Sequence, residues 1–257
     1  MSQNKYKDMG AFCLGIVLIG ALVQGAGALK GDVLVFPGVG EILQAFFRLI
    51  TTPKTYLLIW TTLKHLIVSM AASTVIGVCL GTAMGMLPFL RNLMKPLMIL
   101  LRSLPMVILI VIVMVVADYE LVPVLASSII LIPMIAEAAC EGCLRIDREL
   151  IDVYRMNSGF NLRVLLHVYL PLMAGYLKQA WVNAAGMGVK LAVSTEYLVQ
   201  TKDSLGKAVT TSSYFFEYQD IYAYALVMIL VVLLVSEGPV LIGKILSALR
   251  EKSSPRA

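Results

Sequence analysis

Ionisable and polar side chains inside an apolar stretch are the residues of this sequence with the most evident chemistry. Lys190 and Glu196 stand six positions apart in an apolar run that also contains Met187 and Ser194. Ionisable groups are costly inside a membrane, so all four residues are candidates to line the path of a polar solute. Structural alternatives stay open. In these alternatives, Lys190 extends its ammonium group to the membrane surface or pairs with Glu196. Glu196 itself would occupy an ordinary position at the membrane interface.

Metal-binding and catalytic chemistry have less support in the sequence. Cys140 and Cys143 form a C-x-x-C pair, but no second pair or nearby His completes a four-ligand site, so packing is the favoured interpretation. His65 and His167 are each isolated along the chain. We therefore expect no catalytic residue, no metal site and no cofactor on this chain.

The composition is that of a membrane protein. Hydrophobic residues make up 59% of the 257 residues and charged residues only 14%. The net charge of +5 would suggest nucleic acid as a partner of a soluble protein. Here the charges cluster in the segments between apolar runs, so they report membrane topology. We expect membrane lipids, and no nucleic acid, among the partners.

Six stretches are long and apolar enough to cross a membrane as helices. They comprise residues 11–29, 63–87, 96–117, 121–139, 172–195 and 221–246. None alternates polar and apolar residues as a strand does, and no repeat or low-complexity tract marks a second domain. The sequence predicts an all-α, polytopic membrane protein with six transmembrane helices, in which residues 1–257 form one transmembrane domain.

The distribution of basic residues predicts that both termini lie in the cytoplasm. Of the 21 Lys and Arg residues, twelve fall in segments that this orientation places inside and six in segments that it places outside. The first span also has features of a secretory signal, because Lys5 and Lys7 precede an apolar run that ends in small residues. We favour an uncleaved anchor, since the run is longer than a typical signal core. Cleavage would remove one helix only.

Two further patterns predict helix packing. Between the first two spans, apolar residues recur near helical spacing and indicate an amphipathic helix along the outer membrane surface; they are Ile42, Leu43, Ala45, Phe46, Leu49 and Ile50. In the second span, Gly77, Gly81 and Gly85 recur every four residues. Such a face of small residues lets another helix approach closely.

The charged segment 141–171, on the predicted cytoplasmic side, has the pattern of two short helices. Asp147 is placed to cap the first helix, Ser158-Gly159 breaks it, and Asn161 is placed to cap a second, amphipathic helix that ends near Pro171. A helical loop of this shape gives a soluble partner a rigid surface to push. The alternative is an ordinary solvated loop.

This loop resembles the cytoplasmic loop of the permeases of bacterial ABC importers, which has the form Glu-Ala-Ala, three residues, Gly, and a run ending in Pro. Asp152-Val153-Tyr154 stands where Glu-Ala-Ala would be, and Ser158 replaces the Gly 13 residues before Pro171. The literal Glu137-Ala138-Ala139 lies too far upstream to fit.

Three more elements resemble those of the nitrate, sulfonate and taurine type of these permeases. Residues 101–105 are similar to a Leu-Arg-x-hydrophobic-Pro element, 194–198 to an Ala-Glu-x-Leu element and 203–206 to a Gly-Leu-Gly turn. Each lies in the part of the predicted membrane topology where the permeases of this family have it. The chain is therefore identified as resembling an importer permease of the bacterial inner membrane.

The resemblance implies partners and a mechanism. A second permease subunit, expected to be identical, would complete the path, an external binding protein would deliver a small polar solute, and two ATPase subunits carrying ATP and magnesium would dock on the cytoplasmic loops. Nitrate, sulfonate, taurine or a thiamine-type precursor would be the solute class. The expected ATPase-coupling residues are Asp152, Ser158, Gly159, Phe160, Asn161, Arg163 and Pro171.

An ATP-independent secondary transporter or channel is the main alternative. Such proteins usually carry internal repeats and interrupted helices around polar sites at the midplane, and the sequence shows neither clearly. An intramembrane enzyme has less support, because no Ser/His or paired-Asp arrangement lies within the spans.

Overall fold

A computed structural model describes residues 37–147, 149 and 164–253, together with the single positions Gly15 and Gly25. Side chains are described as far as Ser236. Within this part of the chain the regular elements are helices and no β-strand occurs, as the sequence predicts. The predicted span 11–29 and most of the predicted coupling loop 141–171 lie outside the described residues.

The described helices, in chain order, are α1 (Val39–Thr51), α2 (Pro53–Met86), α3 (Pro88–Ser103), α4 (Met106–Val116), α5 (Val122–Leu144), α6 (Leu170–Val199), α7 (Leu205–Tyr214) and α8 (Tyr218–Ser253). A π-helical segment, Leu165–Tyr169, leads into α6. Proline stands in the first turn of α2, α3, α5 and α6, where its missing N–H is not needed.

Three of the described helices are long and apolar enough to cross a membrane: α2, α5 and residues 218–236 of α8. The predicted span 96–117 is not one straight helix. It divides into α3 and α4, which meet at an angle of 103° and together would form a fourth, broken crossing. Pro105 lies within the break, just before α4. Proline favours a break here because it cannot donate a helical hydrogen bond and it restricts the residue before it.

The predicted span 172–195 is helical throughout as part of α6. Lys178, Lys190 and Glu196 make α6 less apolar than the three spanning helices, and it is not among those that meet the length and composition criteria. Its membrane crossing therefore stays a prediction. The helix α2 begins at Pro53, ten residues before the predicted start of its span, so the helix is longer than the apolar stretch from which it was predicted.

The helices α2 and α5 pack closely and run parallel. A methyl group on Gly81 would sit 2.1 Å from the carbonyl oxygen of Ala136, and one on Gly85 would sit 2.6 Å from Cβ of Cys143. At Gly77 the same group would meet Cβ of Ile135 at 2.9 Å. The small-residue face predicted from the sequence is therefore a helix contact.

The helix α6 runs antiparallel to α2. Its early residue Trp181 donates from Nε1 to Oγ1 of Thr74 at 3.1 Å, and its later residue Gly188 lies against Leu66. The amino end of α2 and the carboxyl end of α6 therefore meet at one end of the bundle, which we call the outer end after the predicted topology. The end where α5 finishes and α6 begins is called the loop end.

The amphipathic helix predicted before the second span exists as α1. Ile42, Ala45 and Leu49 are buried, and α1 packs against α8, with Arg48 forming an ion pair with Asp220. Part of the apolar stripe therefore contacts protein instead of lipid.

Arg102, in the last turn of α3, forms an ion pair with Glu137 of α5. This contact ties α3 to α5.

Substitution Gly81→Ala tests the helix contact. The added methyl group has no room beside the Ala136 carbonyl, so we expect the helices to separate, with a loss of roughly 1 to 3 kcal/mol typical of overpacking. Thermal unfolding in detergent measures the effect as a lowered Tm. Gly40→Ala is the matched control, since nothing lies within 4 Å of its added methyl group. An unchanged Tm for Gly81→Ala would contradict the close packing.

Candidate functional site

A polar face of α6 remains uncovered by the rest of the described chain. Gln179, Asn183, Met187 and Lys190 are exposed, and Ser194 on the same face is partly buried. Their spacing of four, four, three and four residues keeps them on one side of a helix with 3.6 residues per turn. Gln179 Nε2 donates to Asn183 Oδ1 at 3.3 Å along this face.

Three of the four residues predicted to line a path, Met187, Lys190 and Ser194, belong to this face. Gln179 and Asn183 extend it and were missed, although their spacing from Met187 is a signal that the sequence contains. Within the described residues no carboxylate forms an ion pair with Lys190, so the suggested pairing with Glu196 is not observed. The role of these side chains in a path stays a prediction.

The fourth residue, Glu196, lies on the opposite, buried face of α6 and is fully enclosed. Its Oε2 accepts hydrogen bonds from Oγ1 of Thr62 at 2.8 Å and from the Gly206 N–H at 3.3 Å. Its Oε1 lies 2.8 Å from Nδ1 of His65. Because buried charges must be paired and hydrogen bonded to persist, these contacts account for an ionisable group inside the bundle.

The same carboxylate completes the amino terminus of α7. The Leu205 N–H donates to Thr62 Oγ1 at 3.1 Å, the Gly206 N–H to Glu196, and the Lys207 N–H to the Ser204 hydroxyl at 3.2 Å. The first N–H groups of a helix lack partners within it and carry partial positive charge. A carboxylate placed there is stabilised, and it satisfies donors that would otherwise be buried unpaired. We call Thr62, His65, Glu196 and Gly206 the outer clamp.

Gly206 permits the contact between α7 and α6. A methyl group at this position would lie 2.4 Å from the backbone nitrogen of Tyr197 and 2.5 Å from Cβ of Glu196. No larger residue fits without moving α7 away. The segments 194–198 and 203–206, two separate elements of the family resemblance, are therefore two halves of one junction.

The outer clamp bears on what the sequence indicated for His65 and for Glu196. His65 is not isolated, because folding brings it to Glu196 across 131 positions of sequence. Glu196 was also predicted to line the path, and the structure encloses it on the face opposite Lys190. The partners Thr62 and His65 could not be found from local spacing, since they lie on another helix.

Most of the predicted ATPase-coupling residues lie outside the described residues: Asp152, Ser158, Gly159, Phe160, Asn161 and Arg163. Pro171 is described and stands in the first turn of α6. The chain just before it is packed, since Val168 and Tyr169 are buried with Cys143 and Met173. The start of α6 is therefore attached to the end of α5.

No group of metal-ligating side chains is assembled in the described part of the chain. Cys140 and Cys143 are buried there as free thiols. Cys143 packs in an apolar cluster with Ile146 and Met173, which agrees with a packing role for the pair.

Comparison with known proteins gives one family and one fold. The model of the family described as binding-protein-dependent transport system inner membrane component matches residues 73–248. A solved structure of the MetNI methionine ABC transporter in inward-facing conformations is similar, with a TM-score of 0.65 and 19% sequence identity. The similarity covers 75% of this chain and 97% of that chain. No curated protein sequence matches significantly.

Substitution Glu196→Ala tests the outer clamp. It leaves Thr62 and the Gly206 N–H without their acceptor in a buried site, so we expect a loss of roughly 3 kcal/mol of unfolding free energy. Glu196→Gln keeps an oxygen acceptor and should lose less. Thermal unfolding in detergent ranks the variants, with exposed Glu120→Gln as the control. Equal Tm values for Glu196→Ala and Glu120→Gln would show that the clamp does not hold the outer end together.

Proposed function

Because this chain belongs to the family of binding-protein-dependent transport system inner membrane components, we propose that it lines the path by which a small polar solute crosses the membrane. The polar face of α6 carries this proposal. Polar side chains facing lipid are unfavourable, so an uncovered row of them is expected to face either a water-filled path or another protein chain. A long path needs polar groups along its length, and this face supplies them from Gln179 to Ser194.

A second copy of the chain completes the path in this proposal. Two polar faces of α6, set opposite each other, would shield Lys190 and Asn183 from lipid and leave a polar space between them. The exposed aromatic and thioether side chains on the same face, among them Tyr176 and Met187, would be covered by the same association. A homodimer is the simplest arrangement, since it needs one kind of subunit.

ATP hydrolysis resides on separate subunits that dock on the loop 141–171, with Asp152, Ser158, Gly159, Phe160, Asn161 and Arg163 forming the contact. The described flanks of the loop support this arrangement. The loop leaves α5 at Leu144 and enters α6 through the packed π-helical segment. A displacement of the loop would therefore act on α6 directly, and α6 carries the polar face. Rigid-body movement of packed helices is a common way to switch access.

The solute and the remaining partners follow from the sequence resemblance. An external binding protein delivers the solute at the outer end, and the chain sits in a bacterial inner membrane with both termini in the cytoplasm. A nitrate-, sulfonate- or taurine-like molecule, or a thiamine-type precursor, is the solute class.

An ATP-independent transporter or channel is the competing function. It would use the same polar face without a docked ATPase. The two functions differ in whether an ATPase binds the loop end, so association with an ATPase separates them.

Substitution Gly159→Arg tests the coupling loop. The tagged chain is purified in mild detergent after co-expression with its neighbouring genes, and the bound proteins and ATPase activity are measured. We expect an ATPase to co-purify with the wild type and to be lost from Gly159→Arg, because a bulky cation is placed in the docking turn. Tyr119→Arg is the control, since it adds the same side chain at an exposed site on the outer end. A wild-type chain that stays folded and purifies alone would refute the ATPase-driven importer.

Cysteine labelling tests the polar face. In a background with the native cysteines replaced, Asn183→Cys and Lys190→Cys are treated with membrane-impermeant, charged thiol reagents. We expect fast labelling because a thiol facing water ionises and is reached, whereas a thiol facing lipid does neither. Ala184→Cys and Ala192→Cys are the controls, as both alanines are fully buried on other sides of α6. Labelling of the controls alone would place the path elsewhere.

A further inference from the structure

A second polar feature lies at the outer end, on the solvent side of His65. It is a groove of about 460 Å³ between the outer part of α2, the turn from α4 to α5, and the turn from α6 to α7. Its volume falls in the range of small-molecule sites, roughly 300 to 1,000 Å³. It is separate from the polar face of α6, since none of the residues of that face lines it.

The groove contains charges of both signs. Lys64 and Lys202 contribute ammonium groups, and Glu120 and Asp203 contribute carboxylates. Among the ion pairs of the described residues, none involves any of these four. Four charged groups around one depression, each without an ion-pair partner, leave two cationic and two anionic positions open to a ligand.

A buried hydroxyl borders the groove. Thr201 is among the lining residues and is 9% exposed, and its Oγ1, itself shielded from solvent, has no hydrogen-bond partner in the part of the chain that is described. A buried polar atom without a partner costs free energy and calls for a physical explanation, of which a bound water or ion is one. The neighbouring imidazole of His65 is fixed, because its Nδ1 is held by Glu196.

Most of the remaining lining is apolar. Leu57, Val68, Leu121 and Val124 line the groove together with the hydroxyl-bearing Thr61. A ligand that uses the whole groove therefore has an anionic group, an ammonium group and a short aliphatic body.

We propose that this outer groove binds a small zwitterion, with its ammonium group between Glu120 and Asp203 and its anionic group between Lys64 and Lys202. The Thr201 hydroxyl borders this position, and turning it toward the bound anionic group would give it the partner that it lacks. A molecule with only one charge would leave two like charges of the groove without a counterion. The site rests on the proposed function only for its location on the outer side of the membrane, where it would receive solute before the path.

The same chemistry occurs in free amino acids and in phosphatidylethanolamine headgroups. Both carry an ammonium group and an acidic group within a few bonds. The test therefore includes a free zwitterion and a short-chain lipid.

Binding is measured by calorimetry on the full chain in a non-ionic detergent, without an ATPase. L-leucine is the free probe, with 4-methylpentanoate and 3-methylbutylamine as matched molecules that keep the aliphatic body and one charge each. We expect L-leucine to bind and each single-charge analogue to bind at least about tenfold more weakly, the loss of one charge-assisted hydrogen bond. Dihexanoyl phosphatidylethanolamine against dihexanoyl phosphatidylglycerol forms the lipid arm.

Variants locate the site. Glu120→Gln, Lys202→Gln and Thr201→Val should each raise the Kd of the probe that binds, the two charge variants by about tenfold. Lys54→Gln is the control, an exposed lysine at the same end that lines a different groove. Tm values of all four variants should equal that of the wild type, since none of these side chains holds the fold.

The site is supported if one of the zwitterions binds more tightly than its single-charge or non-zwitterionic analogue, and if this preference is lost in the groove variants and kept in Lys54→Gln. The zwitterion that binds identifies the source of the ligand. Absence of binding by both zwitterions, equal binding of single-charge analogues, or unchanged affinity in the groove variants overturns it. ATPase co-purification is measured in parallel on the wild type. Loss of that association alone would refute the importer and leave the binding site in place.

Discussion

A carboxylate enclosed in a helical bundle sets the structure of the outer end. Glu196 has no contact with solvent, so every acceptor position it offers must find a donor in the protein. The donors come from α2 and from the backbone at the start of α7, and they are in place only when these helices reach α6 together. One acidic side chain therefore links three helices. This arrangement requires glycine at position 206, since only glycine lets the α7 backbone come close enough for its N–H to donate to Glu196.

Close packing of α2 with α5 imposes a second constraint, on the topology. The order of the contacts at Gly77, Gly81 and Gly85 shows that the two helices run in the same direction. A chain that leaves the loop end of α2 must therefore return to the outer end before α5 begins. The segments α3 and α4 make this return, with a bend of 103° between them. The ion pair of Arg102 with Glu137 holds α3 against α5.

The sequence predicts the local features of this structure well. Helical class, the amphipathic α1 and the glycine face of α2 all depend on residues within a few turns of one another. The size of the bend at Pro105 and the partners of Glu196 were not predicted. A hydropathy average over a window of residues does not detect a change of direction within an apolar run. Thr62 approaches Glu196 from another helix, 134 positions away in the sequence. Contacts of that kind are decided by packing, which the sequence specifies only through the whole fold.

The two faces of α6 have different roles in the proposed transport path. A transport path must open alternately to the two sides of the membrane. Its polar side chains must keep their spacing during this movement, because a deformed helix would no longer hold them in one row. The buried face meets this need through the outer clamp and through Gly188, which is packed against Leu66. On the exposed face the described side chains form the hydrogen bond from Gln179 to Asn183, and four of the five residues of the face are exposed. In the proposed function, a force applied where α5 and α6 flank the loop would move α6, while the outer clamp would hold the far end of α6 to α2 and α7. Glu196 would then influence transport through the position of α6.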